Sequence, residues 1–199
     1  MKKDLILAGV GGQGILSIAS VIGRAALSQH LHVKQSEVHG MSQRGGEVQA
    51  HLRLSTAPVD SDLIPEGKAD IIVGMEPLET LRYLPYLKND GWLVTNSKPY
   101  VNIDQYPDLD LIYDKIREFP NHLLLDTEEM ARKCGSAKAS NMVLLGALSG
   151  LLELKKGTLE KAIEHLFHKK GERVVAINLD AFAQGQNALA ASEAHISPL

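Results

Sequence analysis

An α/β fold, with a Rossmann-like, mostly parallel sheet and a helical C-terminal part, is what this 199-residue sequence predicts. Three observations carry the prediction. A short apolar strand, Leu5 to Ala8, runs into a glycine turn and then into helical spacing at Ile15, Leu16, Ile18, Ala19 and Ile22. Strand-like and helix-like patterns then alternate through the first half of the chain, as β-α-β units require. The later part is helical in spacing, beginning with an almost wholly apolar stretch from Asn141 to Leu154.

Taken in order, the opening unit is followed by a strand over Val33 to Val38. Residues 45–54 alternate, with Val48, Ala50, Leu52 and Leu54 on one face, which predicts a strand with one buried side. Ala69 to Gly74 reads instead as a fully buried strand from the centre of a parallel sheet. Pro77 suits the first turn of a helix whose apolar positions include Leu78, Leu81, Leu84 and Leu87. Asn89-Asp90-Gly91 closes that helix, and Trp92 to Thr95 is a further strand. Residues 99–120, with Pro99, Pro107 and Pro120, are the least regular part. His122 to Leu125 is another strand, and Asp126 offers an N-cap with Glu129 three residues on.

The helix from Asn141 to Leu154 is apolar on nearly every side and is therefore buried. Gly146, Ala147, Ser149 and Gly150 let a neighbour approach it closely. Amphipathic helices follow over Leu159 to Lys169 and Glu172 to Leu189, and Ser192 to Leu199 frays. With no repeats, low-complexity tracts or linkers, residues 1–199 read as one domain whose helical part covers about 139–190.

Lys and Arg number 21 against 24 Asp and Glu, a net charge of −3, which leaves no basic excess for nucleic acid. The one cysteine, Cys134, excludes an intrachain disulfide and any cysteine-ligated zinc or iron–sulfur cluster built from this chain alone. Such usage suits a reducing cytoplasm. Met1-Lys2-Lys3 imitates a signal-peptide start, but Asp4 and the glycines after Val10 leave the apolar run too short. The run from Met142 to Leu148 is well short of the ~20 residues that a membrane helix needs. A soluble, cytoplasmic protein with no membrane or nucleic-acid partner is expected.

Gly9-Val10-Gly11-Gly12-Gln13-Gly14 is a G-x-G-x-x-G between strand and helix. Glycine permits the turn and close approach of backbone N–H groups, and the helix N-terminus favours an anion, most naturally a diphosphate. An NAD site also wants an acid at the end of the second strand to hold the ribose. Glu37 is the candidate, although it lies where a strand runs into a polar loop. That loop, Glu37 to Gly46, carries the Ser42 hydroxyl, the Gln43 amide and the Arg44 guanidinium among glycines. Arg44 can bind phosphate bidentately, and neighbouring N–H groups can form an anion nest. The plain alternative is a surface turn made by Gly45-Gly46.

Other candidates are weaker. His30, His32, His39 and His51 lack the i, i+4 spacing of a zinc enzyme and read as surface or loop residues. Cys134, beside a glycine, reads as a small residue rather than a reactive thiol. Glu76 either meets a ligand at a strand end or caps the Pro77 helix, with the cap favoured. Neither a Ser-His-Asp signature nor a P-loop lysine is recognisable, so no catalytic residue and no metal site is expected.

The two loops, with Ala69-Asp70, Met75 to Glu79 and Asn141 to Ala147, resemble the gamma-type subunit of 2-oxoacid:ferredoxin oxidoreductases. The likeness runs roughly from Leu5 to Leu154 and is greatest to the indolepyruvate branch, whose small subunit is called beta. It implies oxidative decarboxylation of a 2-oxoacid, here an arylpyruvate, on thiamine diphosphate and Mg. Electrons then pass through 4Fe-4S clusters to ferredoxin, and the acyl group goes to coenzyme A. By that likeness Gly9, Gly11, Gly12, Gln13 and Gly14, with Ser42, Gln43 and Arg44, contact coenzyme A or the subunit interface. Thiamine diphosphate and the clusters are then expected on a large partner subunit. The single cysteine and the lack of a Gly-Asp-Gly segment with a downstream Asn agree with that division. Two rivals remain: a free-standing NAD(P)-binding oxidoreductase using Glu37, and a regulatory nucleotide-binding module. A homodimer is an open alternative for the isolated chain.

Overall fold

A computed structural model describes residues 1–40, 46–101, 103 and 105–196. The described chain runs β1 (Lys2–Val10), α1 (Ile15–Leu27), β2 (His32–His39), β3 (Glu47–Ser55), β4 (Ala69–Gly74), α2 (Pro77–Arg82), β5 (Leu87–Asn96), α3 (Leu109–Arg117), β6 (His122–Leu125), α4 (Thr127–Lys133), α5 (Ser140–Ser149), α6 (Thr158–Phe167) and α7 (Glu172–Ile196). The strands form one sheet in the order β2-β3-β1-β4-β5-β6. β1, β4, β5 and β6 run parallel, and β3 is antiparallel to both of its neighbours. The sheet is mostly parallel, as expected. The exception follows from chain length, because a parallel neighbour needs a crossover of a dozen or more residues and the β2–β3 connection is shorter.

Strand alternation divides the core into two layers. On β1, Leu5 and Leu7 join Ile18 and Ile22 of α1, Leu144 of α5, Ile163 of α6 and Phe182 of α7. Ile6 and Ala8 face the other way, toward Ile72, Tyr83 and the α3 residues Ile112 and Ile116. A strand covered on both sides must be apolar at every position, and Leu5 to Ala8 has no exposed surface.

β3 corrects the expectation of one buried side. Val48, Ala50, Leu52 and Leu54 do point into the core, but His51 and Arg53 on the opposite face are also buried. Arg53 donates from Nε to Asp4 Oδ1 at 2.8 Å and from Nη2 to Asp4 Oδ2 at 3.1 Å. Its Nη1 donates to the carbonyls of Ser61 and Leu63. His51 Nδ1 accepts from Ile64 N at 3.0 Å. These bonds hold the segment after β3 over its polar face, so His51 is an internal residue rather than a surface one.

The helix expected from Pro77 through Leu87 is shorter. α2 ends at Arg82, residues Leu84–Tyr86 form a 3-10 turn, and Leu87 already belongs to β5. Pro85 has no N–H to continue the helical ladder. Asn89-Asp90-Gly91 therefore lies within a strand: the register runs from Ala69↔Leu87 to Ile71↔Trp92, so β5 bulges there. The proline-rich stretch conceals α3. Asp108 caps it by accepting from Asp110 N at 2.9 Å. Ile112 and Ile116, one turn apart, are buried, each stabilising by about 1.5–3 kcal/mol as an upper figure.

The predicted close approach at Gly146 is present. A Cβ there would lie 1.9 Å from the Phe182 carbonyl oxygen, and one on Gly185 would lie 1.9 Å from the Val143 carbonyl oxygen. Helices α5 and α7 thus touch backbone to backbone. α7 continues as helix to Ile196, beyond the expected fraying point.

Candidate functional site

β1 ends at Val10, and the chain turns with Gln13 N donating to Val10 O at 3.2 Å. Gly12 at φ +99° and Gly14 at φ +83° occupy the left-handed region, where a side chain is strained. Gly9 is needed for a different reason. A Cβ there would come within 2.9 Å of Gln13 Oε1 and 3.2 Å of Met75 Cβ, where the Gln13 side chain folds back.

That side chain ties the loop together. Gln13 Oε1 accepts from Val10 N at 2.8 Å, and Nε2 donates to Met75 O at 3.3 Å. Both ends of the amide are thus engaged within the protein, and Gln13 acts by shaping the loop. Met75 O also accepts from Asn96 Nδ2 at 3.2 Å, while Asn96 Oδ1 accepts from Thr127 N and Oγ1. Asn141 of α5 donates from Nδ2 to Gly14 O at 3.2 Å and leaves its own Oδ1 buried without a partner. The ends of β1, β4 and β5 and the starts of α1 and α4 are therefore joined through side-chain amides.

What this leaves free is a set of donors. The N–H groups of Gly12, Gly14, Ile15 and Leu16 have no backbone acceptor among the described residues, and α1 has no side-chain cap. They border a cleft of about 330 Å³ lined by Val10, Gly11, Gly12, Gly14, Ile15, Leu16, Ser17 and Val48. Unpaired amides together with the positive end of a helix suit a phosphate or carboxylate. The Gly11 amide is engaged, donating to Gly46 O at 2.9 Å. That bond sets the end of the β2–β3 connection beside the glycine loop. Ser42, Gln43 and Arg44 belong to this connection and lie outside the described residues.

Glu76 is the N-cap of α2, accepting from Glu79 N at 2.7 Å. Its other oxygen accepts from Tyr100 N and from the Tyr106 hydroxyl, so it also anchors the chain after β5. Burial, the Glu76 carboxylate as hydrogen-bond partner and its charge hold the Tyr106 hydroxyl far above its ordinary pKa. Glu79 is 4% exposed, with Arg82 Nε 3.0 Å from Oε2 but poorly aligned for a hydrogen bond. Desolvation raises its pKa; Arg82 opposes that, while Glu47 and Glu76 add to it. Neither Glu76 nor Glu79 lines the glycine-loop cleft.

Glu37 sits on β2, and β3 intervenes between that strand and β1. A ribose clamp belongs on the strand beside the glycine loop, so the geometry disfavours the NAD reading. Cys134 Sγ lies 3.4 Å from Met130 O, and burial with Asp180 nearby pushes its pKa up, which keeps it a thiol. No group of three or more potential metal ligands occurs among the described residues. Asn96, Asn141 and Tyr106 escaped sequence reasoning. Only the polar character of Asn141, at the start of an otherwise apolar helix, could have signalled one of them.

Against this geometry stand the comparisons with known proteins. A family model described as pyruvate ferredoxin/flavodoxin oxidoreductase matches residues 4–188. The chain belongs to this family. Subunit IorB of the indolepyruvate oxidoreductase of Archaeoglobus fulgidus is 35% identical over 194 residues, covering 94% of this chain and 95% of the relative. The subunit of the same name from Pyrococcus horikoshii is 42% identical over 158 residues, covering 75% of this chain and 78% of its own. Among solved structures, a 2-oxoglutarate:ferredoxin oxidoreductase from Magnetococcus marinus has 2-oxoglutarate, coenzyme A and succinyl-CoA bound. It matches with a TM-score of 0.75 at 26% identity. The match covers 96% of this chain but only 31% of that one. The chain is thus of the small-subunit type within the family, an enzyme component rather than a whole enzyme.

Proposed function

We propose that this chain is the small subunit of a thiamine-dependent, cytoplasmic 2-oxoacid:ferredoxin oxidoreductase that converts indolepyruvate or a related arylpyruvate to its acyl-CoA and carbon dioxide. The relatives named for indolepyruvate support the substrate class. Residues 1–199 would act as one gamma-type domain. A large partner subunit would carry thiamine diphosphate, Mg and the 4Fe-4S clusters and hand electrons to ferredoxin. One cysteine cannot ligate a cluster, which supports that division.

The observation that carries the site is the bond between Gly11 N and Gly46 O, which brings the end of the second loop to the amides at the start of α1. These amides fit a phosphate of coenzyme A, with Gly12, Gly14, Ile15 and Leu16 donating and Arg44 adding charge from the second loop. When bound, coenzyme A supplies the thiol that accepts the acyl group. This chain's part is to hold and orient that acceptor.

Coexpression with a large, thiamine- and cluster-binding subunit of the family, followed by affinity purification, tests membership. Copurification and ferredoxin reduction that requires both chains are expected. A chain that stays apart from its partner and binds NADH would overturn the proposal. Gly12→Ala tests the ligand, because its Cβ would meet nothing within 4 Å among the described residues yet border the cleft and strain the turn. A several-fold rise in KM for coenzyme A with kcat nearly unchanged is expected. An unchanged KM in an intact complex would remove the coenzyme A role alone.

A further inference from the structure

Far from the glycine loop, two cationic side chains and an imidazole line one cleft without an ion-pair partner among the described residues. The cleft, about 390 Å³, lies between α1 and α6 and is lined by Arg24, Ser28, Thr158, Lys161, Ala162 and His165. Arg24 stands in the last turn of α1, roughly 14 Å along its axis from the N-terminus. Lys161 and His165 are four residues apart on α6 and share a face.

Helix dipoles account for Arg24 and His165, each in the last turn of its helix, but not for Lys161 in the middle of α6. Nor do they account for cations from two helices, Arg24 of α1 and Lys161 of α6, facing one space. No ion pair with an acidic group is formed by Arg24, Lys161 or His165 among the described residues. Neither acid of α6, Glu160 or Glu164, lines this cleft, and Glu164 borders the groove toward α7 with His168 and Glu172.

The walls are fixed in place. Gln29 donates from Nε2 to Ala25 O and Thr158 Oγ1, both at 3.3 Å, and accepts from Lys155 N at 3.0 Å. One amide thus braces the end of α1 against the start of α6. The Ser28 and Thr158 hydroxyls donate to the carbonyls of Ala25 and Lys155. That leaves the guanidinium, the ammonium and the imidazole as the available donors.

From this convergence we infer that the α1–α6 cleft is a second anion site, built for a phosphate group. Arg24 offers its planar pair of donors, and Lys161 and His165 close on the remaining oxygens. The inference does not rest on the proposed function. The phosphate is that of a free inorganic ion or of a nucleotide, and the two are separable by experiment.

The test is a titration of the full chain, labelled with nitrogen-15, with inorganic pyrophosphate and separately with ADP. Saturable amide shifts at residues 24–29 and 157–165 are expected, distinct from any shifts at residues 11–17. Pyrophosphate alone sufficing identifies a free-phosphate site; a response to ADP only identifies a nucleotide site. Arg24→Gln with Lys161→Gln should weaken binding at the cleft at least tenfold while leaving the glycine-loop response intact. Lys161→Arg should preserve it. These side chains are exposed and unpaired, so the variants fold, which circular dichroism checks. Shifts confined to the glycine loop, or cleft shifts unchanged in the double variant, would overturn the inference.

Discussion

Replacing Gly14 with alanine strikes the glycine loop at two points at once. At φ +83° an alanine adopts the left-handed conformation, which costs about 1–2 kcal/mol. Its Cβ would also lie 2.5 Å from Asn141 Nδ2, so the amide must withdraw from Gly14 O, losing a part-buried hydrogen bond of about 1 kcal/mol. The expected loss is about 2–3 kcal/mol, or about 1 M in the urea midpoint for an m of ~2–3 kcal/mol/M. Asn141→Ala separates the parts. In that background the clash and the bond are already gone, so Gly14→Ala should lose only the backbone component. The double-mutant cycle in urea should therefore show a coupling of about 1 kcal/mol. Additive losses, or a Gly14→Ala variant within about 0.5 kcal/mol of the parent, would refute the reasoning.

Other outcomes are expected from the same structure. Gly146→Ala would force a methyl group against the Phe182 carbonyl at the α5–α7 crossing, so a loss at or above the usual 1–3 kcal/mol of overpacking should appear in thermal unfolding. Arg53→Met takes from the buried Asp4 its two guanidinium bonds and leaves it only the exposed Lys2, 3.6 Å away; a loss of about 3 kcal/mol is expected, and Asp4→Leu added to it should recover part of the loss. Glu79 has a folded pKa raised above its ordinary 4.5, so its contribution to stability is full below that value and lost as pH rises through the raised one. Glu79→Gln should flatten this decline in melting temperature with rising pH, and a curve parallel to the parent's would count against it.

How much of this was legible in the sequence depended on whether local pattern or tertiary context decided each element. Period-two alternation located β3 because Val48 to Leu54 face a core. The same pattern concealed the buried far side, since Arg53 becomes internal through Asp4, 49 residues away, and the carbonyls of Ser61 and Leu63. Asp126 was readable as a cap because capping is local; it accepts from Glu129 N at 3.0 Å. The α3 helix was lost behind Pro99 and Pro107, although Ile112 and Ile116 carried its spacing. At the site, the glycines announced an anion-binding turn, yet Gln13 proved to be engaged on Met75 O, a partner 62 residues distant. Asn141 and Asn96 act through similarly remote carbonyls, and no local pattern encodes such meetings.

The backbone contact between Gly146 and Gly185 has a reach beyond its own helices. Asn141 and Gly146 share α5, and α5 cannot slide or tilt where its backbone rests on that of α7. The crossing therefore acts as a datum from which the height of Asn141, and so of the Gly14 carbonyl beneath it, is measured. Two glycines that touch nothing in the cleft thereby set the aim of the amides that do.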